Sequence, residues 1–272
     1  MKRSQLKSLR LQRCLLIAVA LAACAQPRIE PTRVAATPPL QLFILAGQSN
    51  MAGRGVVEAQ DRIVNPRVLM LDRSLSWVPA VDPVHFDKPI AGVGPGRSFA
   101  LALADADSAA RIGLVPVALG GSPISSWRPG AEDGATGRAP YDDAIARANA
   151  AMQKGELRAI LWHQGESDSV EPLSNMYESR LRTFIERFRK DLGKPDLPFL
   201  IGQLGHFDRA PWSAAKSRVD SAHRKLAAEM RNVVYVSSEG LKDKGDTTHF
   251  DSPSARELGR RYAAAYLAMR RK

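Results

Sequence analysis

The sequence predicts an α/β domain in which a mostly parallel central sheet is flanked by helices. Two observations carry the prediction. From Leu40 onward, short apolar runs alternate with longer amphipathic stretches, the order expected of a parallel sheet covered by helices. Several of the short runs are nearly continuous in apolar residues, as strands buried on both faces require.

Taken in order, the first strand is expected at Leu40–Ala46 and the second at Val68–Leu71. A helix near Phe99–Ala110 precedes a third strand at Leu114–Leu119. A helix at Asp142–Gln153 leads to a strand at Ala159–His163, and a helix at Ser174–Lys190 to one at Phe199–Leu204. The helix at Ala214–Met230 precedes the last strand, Val233–Ser237. The final helix, Pro253–Met269, has Leu258, Tyr262, Ala265 and Leu267 at roughly helical spacing, with Arg256, Arg260 and Arg270 for an outer face. There is no internal repeat, and 272 residues suit one large domain, placed at 40–272.

The N-terminus has a different character. Lys2, Arg3, Lys7, Arg10 and Arg13 precede an apolar run from Cys14 to Ala23, about half as long as a bilayer-spanning helix needs. This is the plan of a secretory signal over residues 1–23. Its end, Leu21-Ala22-Ala23-Cys24, resembles the lipobox of bacterial lipoproteins, which implies acylation of Cys24 and a membrane anchor through it. Cleavage by a plain signal peptidase is the alternative, since Ala23-Cys24-Ala25 also satisfies the small-residue pattern. Residues 24–39 are then the lipidated cysteine and a proline-rich, largely extended tether. The expected location is the bacterial cell envelope, with a soluble periplasmic or secreted form as the alternative.

The formal charge of +11 invites a nucleic-acid reading, but removal of residues 1–23 with their five cations lowers it to +6. No basic run interleaved with aromatics remains, so no nucleic-acid partner is expected. Both cysteines, Cys14 and Cys24, belong to the leader. The domain therefore has no cysteine nucleophile, thiolate metal site or internal disulfide. No pair of histidines has metal-ligand spacing, so neither metal nor cofactor is expected.

Ligands of open parallel sheets bind at the carboxyl ends of the strands. Four such junctions are dense in chemically active residues: Gly47–Arg54, Gly120–Trp127, His163–Asp168 and the loop from Ser237 to His249. Ser49 follows the first strand, a place suited to a nucleophile and equally to a helix N-cap. Asp246 and His249 stand three apart before the last helix, a separation that lets a carboxylate fold back onto an imidazole. Asp243 and Asp251 compete for that carboxylate role. Gly120-Gly121 allows close approach of backbone to a ligand, and Trp162-His163-Gln164-Gly165-Glu166-Ser167-Asp168 runs an apolar strand straight into polar residues.

Together these junctions, G-Q-S-N-M-A-G-R-G, G-G-S-x-I-x-x-W, W-H-Q-G-E-S-D and D-x-x-H, resemble the motifs of SGNH-type hydrolases. They are closest to the sialate O-acetylesterase-like branch, which includes acetyl xylan esterases of carbohydrate esterase family six. Gly94-Pro95 followed by Phe99-Ala100 fits the same pattern. The resemblance implies a three-layer, flavodoxin-like fold and a serine esterase acting on acetylated carbohydrate, either sialic acid or a xylan-type polysaccharide. It implies Ser49 as nucleophile, His249 as general base and Asp246 as its orienting acid, with Glu166 the competing acid. The oxyanion donors implied are Ser49 N–H, Gly121 N–H and the Gln164 side chain. Glu166 is expected to support the nucleophile loop with Arg54 as its partner. Arg97 or Arg128 is a candidate for a substrate carboxylate, and Trp77 or Trp127 for a sugar face or for the core. The competing functions are a catalytically inactive, lipid-anchored glycan-binding protein and an esterase or thioesterase for another short acyl group.

Overall fold

The computed structural model of the chain describes residues 38–271. The expected signal, Cys24 and all but the last two residues of the tether lie outside the described residues. The strands are β1 (Leu40–Gly47), β2 (Val68–Leu71), β3 (Trp77–Pro79), β4 (Ile112–Pro116), β5 (Gly155–His163), β6 (Phe199–Gly202) and β7 (Val233–Val236). The helices are α1 (Ser49–Ala52), α2 (Pro95–Ala106), α3 (Pro140–Met152), α4 (Leu173–Asp191), α5 (Ala214–Glu229) and α6 (Ser252–Arg270).

The seven strands form one sheet in the order β3-β2-β4-β1-β5-β6-β7. Every neighbouring pair is parallel except β2–β3. Side chains alternate along a strand, so β1 feeds two cores. Leu40, Leu42, Ile44 and Ala46 pack with Tyr141 of α3, Leu181, Phe184 and Phe188 of α4, and Val219 and Leu226 of α5. Phe43 and Leu45 face the other way, onto Phe99 of α2 and Leu258, Tyr262 and Tyr266 of α6. Phe43 meets Phe99 edge-on at 4.9 Å and Tyr266 at 5.1 Å. Each fully buried large apolar side chain of this kind stabilises the fold by about 1.5–3 kcal/mol. The outcome is the three-layer arrangement implied by the SGNH resemblance.

In the sheet β1 lies between β4 and β5. The chain first builds β2, β3 and β4 to one side, then crosses to β5, β6 and β7 on the other. The carboxyl end of β1 is therefore the switch point, where loops diverge and leave a crevice.

Three elements differ from expectation. Edge strand β3 is three residues long and contains a proline, too short to show a pattern. It pairs antiparallel with β2, and its Trp77 packs over Gly113, where an added Cβ would stand 2.9 Å from the indole ring. Strand β4 runs from Ile112 to Pro116, shifted toward the N-terminus from the expected Leu114–Leu119. Helix α2 starts at Pro95, whose fixed φ suits a first turn, and stops at Ala106. The Asp107 carboxylate then accepts from Ala109 N–H at 2.9 Å, turning the chain out of the helix.

Candidate active site

Strand β1 ends in Gly47, at φ 125°, and an added Cβ there would lie 2.1 Å from the His163 carbonyl oxygen. Only glycine allows β1 and β5 this close at their ends. Gln48 N–H donates to the same carbonyl at 2.8 Å, and its side-chain oxygen accepts from Gly165 N–H at 3.3 Å and Ser167 N–H at 3.4 Å. The chain then turns into α1, a single turn that starts with Ser49.

Ser49, 7% exposed, lies with its Oγ 3.0 Å from His249 Nε2. His249 Nδ1 is 2.7 Å from Asp246 Oδ2. The second Asp246 oxygen accepts from the backbone N–H of His249 at 2.8 Å and of Thr248 at 3.0 Å. Burial opposes ionisation of Asp246, but these donors and the ring outweigh it and bring the carboxyl down to about 2. An ionised carboxylate only accepts, so Nδ1 carries a proton, and in the neutral ring it is then the Nε2 lone pair that faces Ser49 Oγ–H. The competing carboxylates are occupied elsewhere. Asp243 accepts from Gly245 and Thr247 N–H, Asp251 caps α6 through Ser254 N–H, and Glu166 accepts from Asn50, beside Ser49.

Asn50 ties these parts together. Its Nδ2 donates to Glu166 Oε1 at 2.6 Å and to the Thr248 carbonyl at 3.0 Å, while its Oδ1 accepts from Phe250 N–H at 3.1 Å. Thr248 and Phe250 flank His249. The residue after the serine therefore grips the imidazole-bearing loop on both sides of the imidazole. Glu166 orients the carboxamide, with the fully buried His163 ring 3.7 Å away. Burial lowers the pKa of that ring.

Two site assignments are corrected. Gln164 is completely buried, and its Nε2 donates to Asp168 Oδ2 at 2.6 Å and to the Ser122 carbonyl at 3.2 Å. Both amide hydrogens are spent, so Gln164 has none for an oxyanion. It braces the Gly120–Ser122 turn from beneath, while Tyr177 O–H donates to its Oε1 at 2.8 Å. Arg54 does not meet Glu166. It forms an ion pair with Asp87 at 2.7 Å, both side chains being almost fully buried, and Asp87 also accepts from Gly120 N–H at 2.9 Å. Arg54 thus supports the glycine turn through Asp87, whereas Glu166 supports the turn that carries Ser49 through Asn50.

Among the described residues, neither Ser49 N–H nor Gly121 N–H has a hydrogen-bond acceptor. Gly121 has φ 89°, and its carbonyl accepts from Ser167 Oγ at 2.9 Å, which ties the far side of the turn to the β5 loop. Beyond β4, Leu119 N–H still bonds to the Gly47 carbonyl at 2.9 Å, so the glycine turn is tied to the end of β1. One turn of helix supplies little dipole, so individual N–H groups are what α1 offers an anion.

The other candidates fall outside this constellation. Arg97 is buried and donates to the Ala80 and Ile63 carbonyls, while Arg128 is exposed and donates to the Ser125 carbonyl at 3.2 Å. Trp127 is a core residue that meets Trp162 edge-on at 5.0 Å and donates to Ser122 Oγ at 2.9 Å. Two contributors were missed. Asn50 directly follows Ser49 in G-Q-S-N-M, and a carboxamide at the buried end of an apolar strand is itself a signal. Asp87 follows Val84-His85-Phe86, a stretch with no pattern that marks it.

The sequence matches the family model described as carbohydrate esterase, sialic acid-specific acetylesterase, over residues 39–268. It is 34% identical over 257 residues to a probable carbohydrate esterase of Arabidopsis thaliana, spanning 85% of this chain and 92% of that protein. A solved Arabidopsis thaliana structure at 34% identity superposes with a TM-score of 0.75, covering 85% of this chain and 99% of that one. NanS, at 18% identity, gives 0.71 over 86% and 99%. A carbohydrate acetylesterase from Xanthomonas citri, at 19% identity, gives 0.66 over 83% and 55%. The last two share the fold.

Proposed function

As the chain belongs to the sialic acid-specific acetylesterase family of carbohydrate esterases, we propose that it hydrolyses O-acetyl esters on sugars through a covalent acetyl-serine. The observation that carries the proposal is the unbroken line Asp246–His249–Ser49, at 2.7 and 3.0 Å, beside two backbone N–H groups without acceptors.

In this mechanism the Ser49 oxygen attacks the ester carbonyl as His249 Nε2 takes its proton. Asp246 holds the ring in the required tautomer and stabilises the imidazolium that forms. The tetrahedral oxyanion rests on Ser49 N–H and Gly121 N–H. His249 then returns the proton to the departing sugar hydroxyl, and a water activated by the same imidazole releases acetate and frees Ser49.

The test is acetate release by the full chain and by Ser49→Ala on O-acetylated sialic acid and acetylated xylan. Activity is expected to vanish in the variant while the fold is retained. An active Ser49→Ala enzyme would refute the nucleophile. A folded wild type without activity on either substrate would favour a glycan-binding role or another acyl group.

The leader reading is part of the same proposal and rests on residues 1–39 of the sequence. Acylation of Cys24 would hold the esterase on an envelope membrane at the end of a proline-rich tether. Labelled fatty acid should enter the wild type and not Cys24→Ala. A wild type that takes up no label would leave the soluble exported form.

A further inference from the structure

A cleft of about 620 Å³ opens beside the site, between the carboxyl end of β4 and α3, and its charged lining is mostly cationic. Arg73, Lys88, Arg138 and Arg147 face Asp87 and Asp143 there. The two acids are already committed, Asp87 to Arg54 at 2.7 Å and Asp143 to Arg138 at 2.8 Å. That leaves the charges of Arg73, Lys88 and Arg147 without a carboxylate partner among the described residues.

The two arginines are held in place. Each guanidinium lies 4.9 Å from the centre of the Phe86 ring. Arg147 donates to the carbonyls of Leu71, Asp72 and Pro116, and Arg73 to that of Phe86. Lys88 differs from both. It is half-buried, and its ammonium has neither ion pair nor hydrogen bond among the described residues. Its Nζ would stand 3.9 Å from a Cβ placed on Gly121. Lys88 therefore belongs both to the cleft and to the rim of the glycine turn. An ammonium without a partner of its own is free to receive a ligand anion in a charge-assisted hydrogen bond.

We propose that Lys88, backed by the arginine-lined cleft, forms a subsite for a carboxylate carried on the acetylated sugar. The inference rests on the reading of Gly121 N–H as an oxyanion donor. A sugar whose acetyl carbonyl rested on that N–H would bring its ring close to Lys88, whose Nζ borders Gly121. The acid function of such a sugar then meets Lys88, with Arg73 and Arg147 adding long-range attraction. A neutral sugar gains nothing from these charges. Two sources supply the same chemistry, the carboxylate of a sialic acid and that of a uronic acid in a plant polysaccharide.

The experiment measures kcat and KM of the full chain on O-acetylated N-acetylneuraminic acid, acetylated glucuronoxylan fragments, neutral acetylated xylobiose and p-nitrophenyl acetate. Wild type, Lys88→Gln and Lys88→Arg are compared. The expected result is a fall of about tenfold in the ratio of kcat/KM for an anionic over a neutral sugar ester in Lys88→Gln. That fall should lie in KM, recover in Lys88→Arg and shrink at high salt. The anionic substrate that shows it identifies the source. An unchanged ratio overturns the subsite, as does an equal loss of kcat on every ester, which would place Lys88 at the oxyanion. A folded wild type inactive even on p-nitrophenyl acetate would instead overturn the esterase reading, and the subsite with it.

Discussion

Replacing Asn50 with alanine removes three hydrogen bonds at once, to Glu166, to the Thr248 carbonyl and from Phe250 N–H. The two backbone bonds contribute about 1 kcal/mol each, and the bond to the carboxylate about 1.5–3 kcal/mol. The Glu166 side chain is only 12% exposed and its other oxygen already lacks a protein partner. Losing its Asn50 donor would leave that carboxylate poorly satisfied, so a loss of about 3–5 kcal/mol of folding stability is expected. The catalytic consequence follows from where the bonds end. Thr248 and Phe250 bracket His249, and a shift of about 1 Å in a catalytic group costs about a hundredfold in rate. Urea unfolding and steady-state kinetics on p-nitrophenyl acetate measure the two effects separately. The expected pattern is a lower unfolding midpoint, kcat reduced about a hundredfold and KM little changed. A variant that loses the stability but keeps kcat within threefold would refute the argument that Asn50 positions the imidazole.

Gly121→Ala should lower kcat about a hundredfold and stability by about 1–2 kcal/mol, because φ 89° is strained for any side chain and the peptide must turn to relieve it. Gln164→Ala should act mainly on stability, lowering it by about 2–3 kcal/mol in a thermal melt through the partners left at Asp168 and Tyr177. A loss of kcat with an unchanged melt would restore Gln164 as a direct oxyanion donor. Asp82 is 3% exposed, and burial, aided by the nearby Asp61, raises its carboxyl from 3.8 to about 7. Such a group favours the fold below pH 4, where both states are protonated, and its contribution is lost as pH rises to 7. The full span is about 4 kcal/mol, so Asp82→Asn should flatten the fall in stability between pH 4 and 7.

Much of this was legible in the sequence for physical reasons. Strands β1 and β6 and the second half of β5 are buried on both faces and must be written as apolar runs. Edge strand β3 is only half-buried and three residues long, so Trp77-Val78-Pro79 carries no comparable constraint. In the site, Asp246 and His249 were readable because their contact is local, and Ser49 because a strand end delivers it. The partners of Arg54 and Gln164 were not readable. Arg54 reaches Asp87 across 33 residues and Gln164 reaches the Ser122 carbonyl across 42, and nothing in a linear pattern says which way a buried carboxamide turns. Polar side chains crowded into W-H-Q-G-E-S-D showed that a network had to exist, without showing which atoms it joins.

Ser49 and His249 are 200 positions apart, and α6 begins three residues after the histidine. A chain that emerges from its N-terminus thus displays Ser49 long before His249 is made. On the proposed mechanism, hydrolysis waits for the C-terminal segment that carries His249 and leads into α6, whose Tyr266 packs on Phe43 of the central strand. Turnover by a refolding sample is accordingly a clock for that final docking, and the time lag between burial of the tryptophans and the first acetate released would measure it directly.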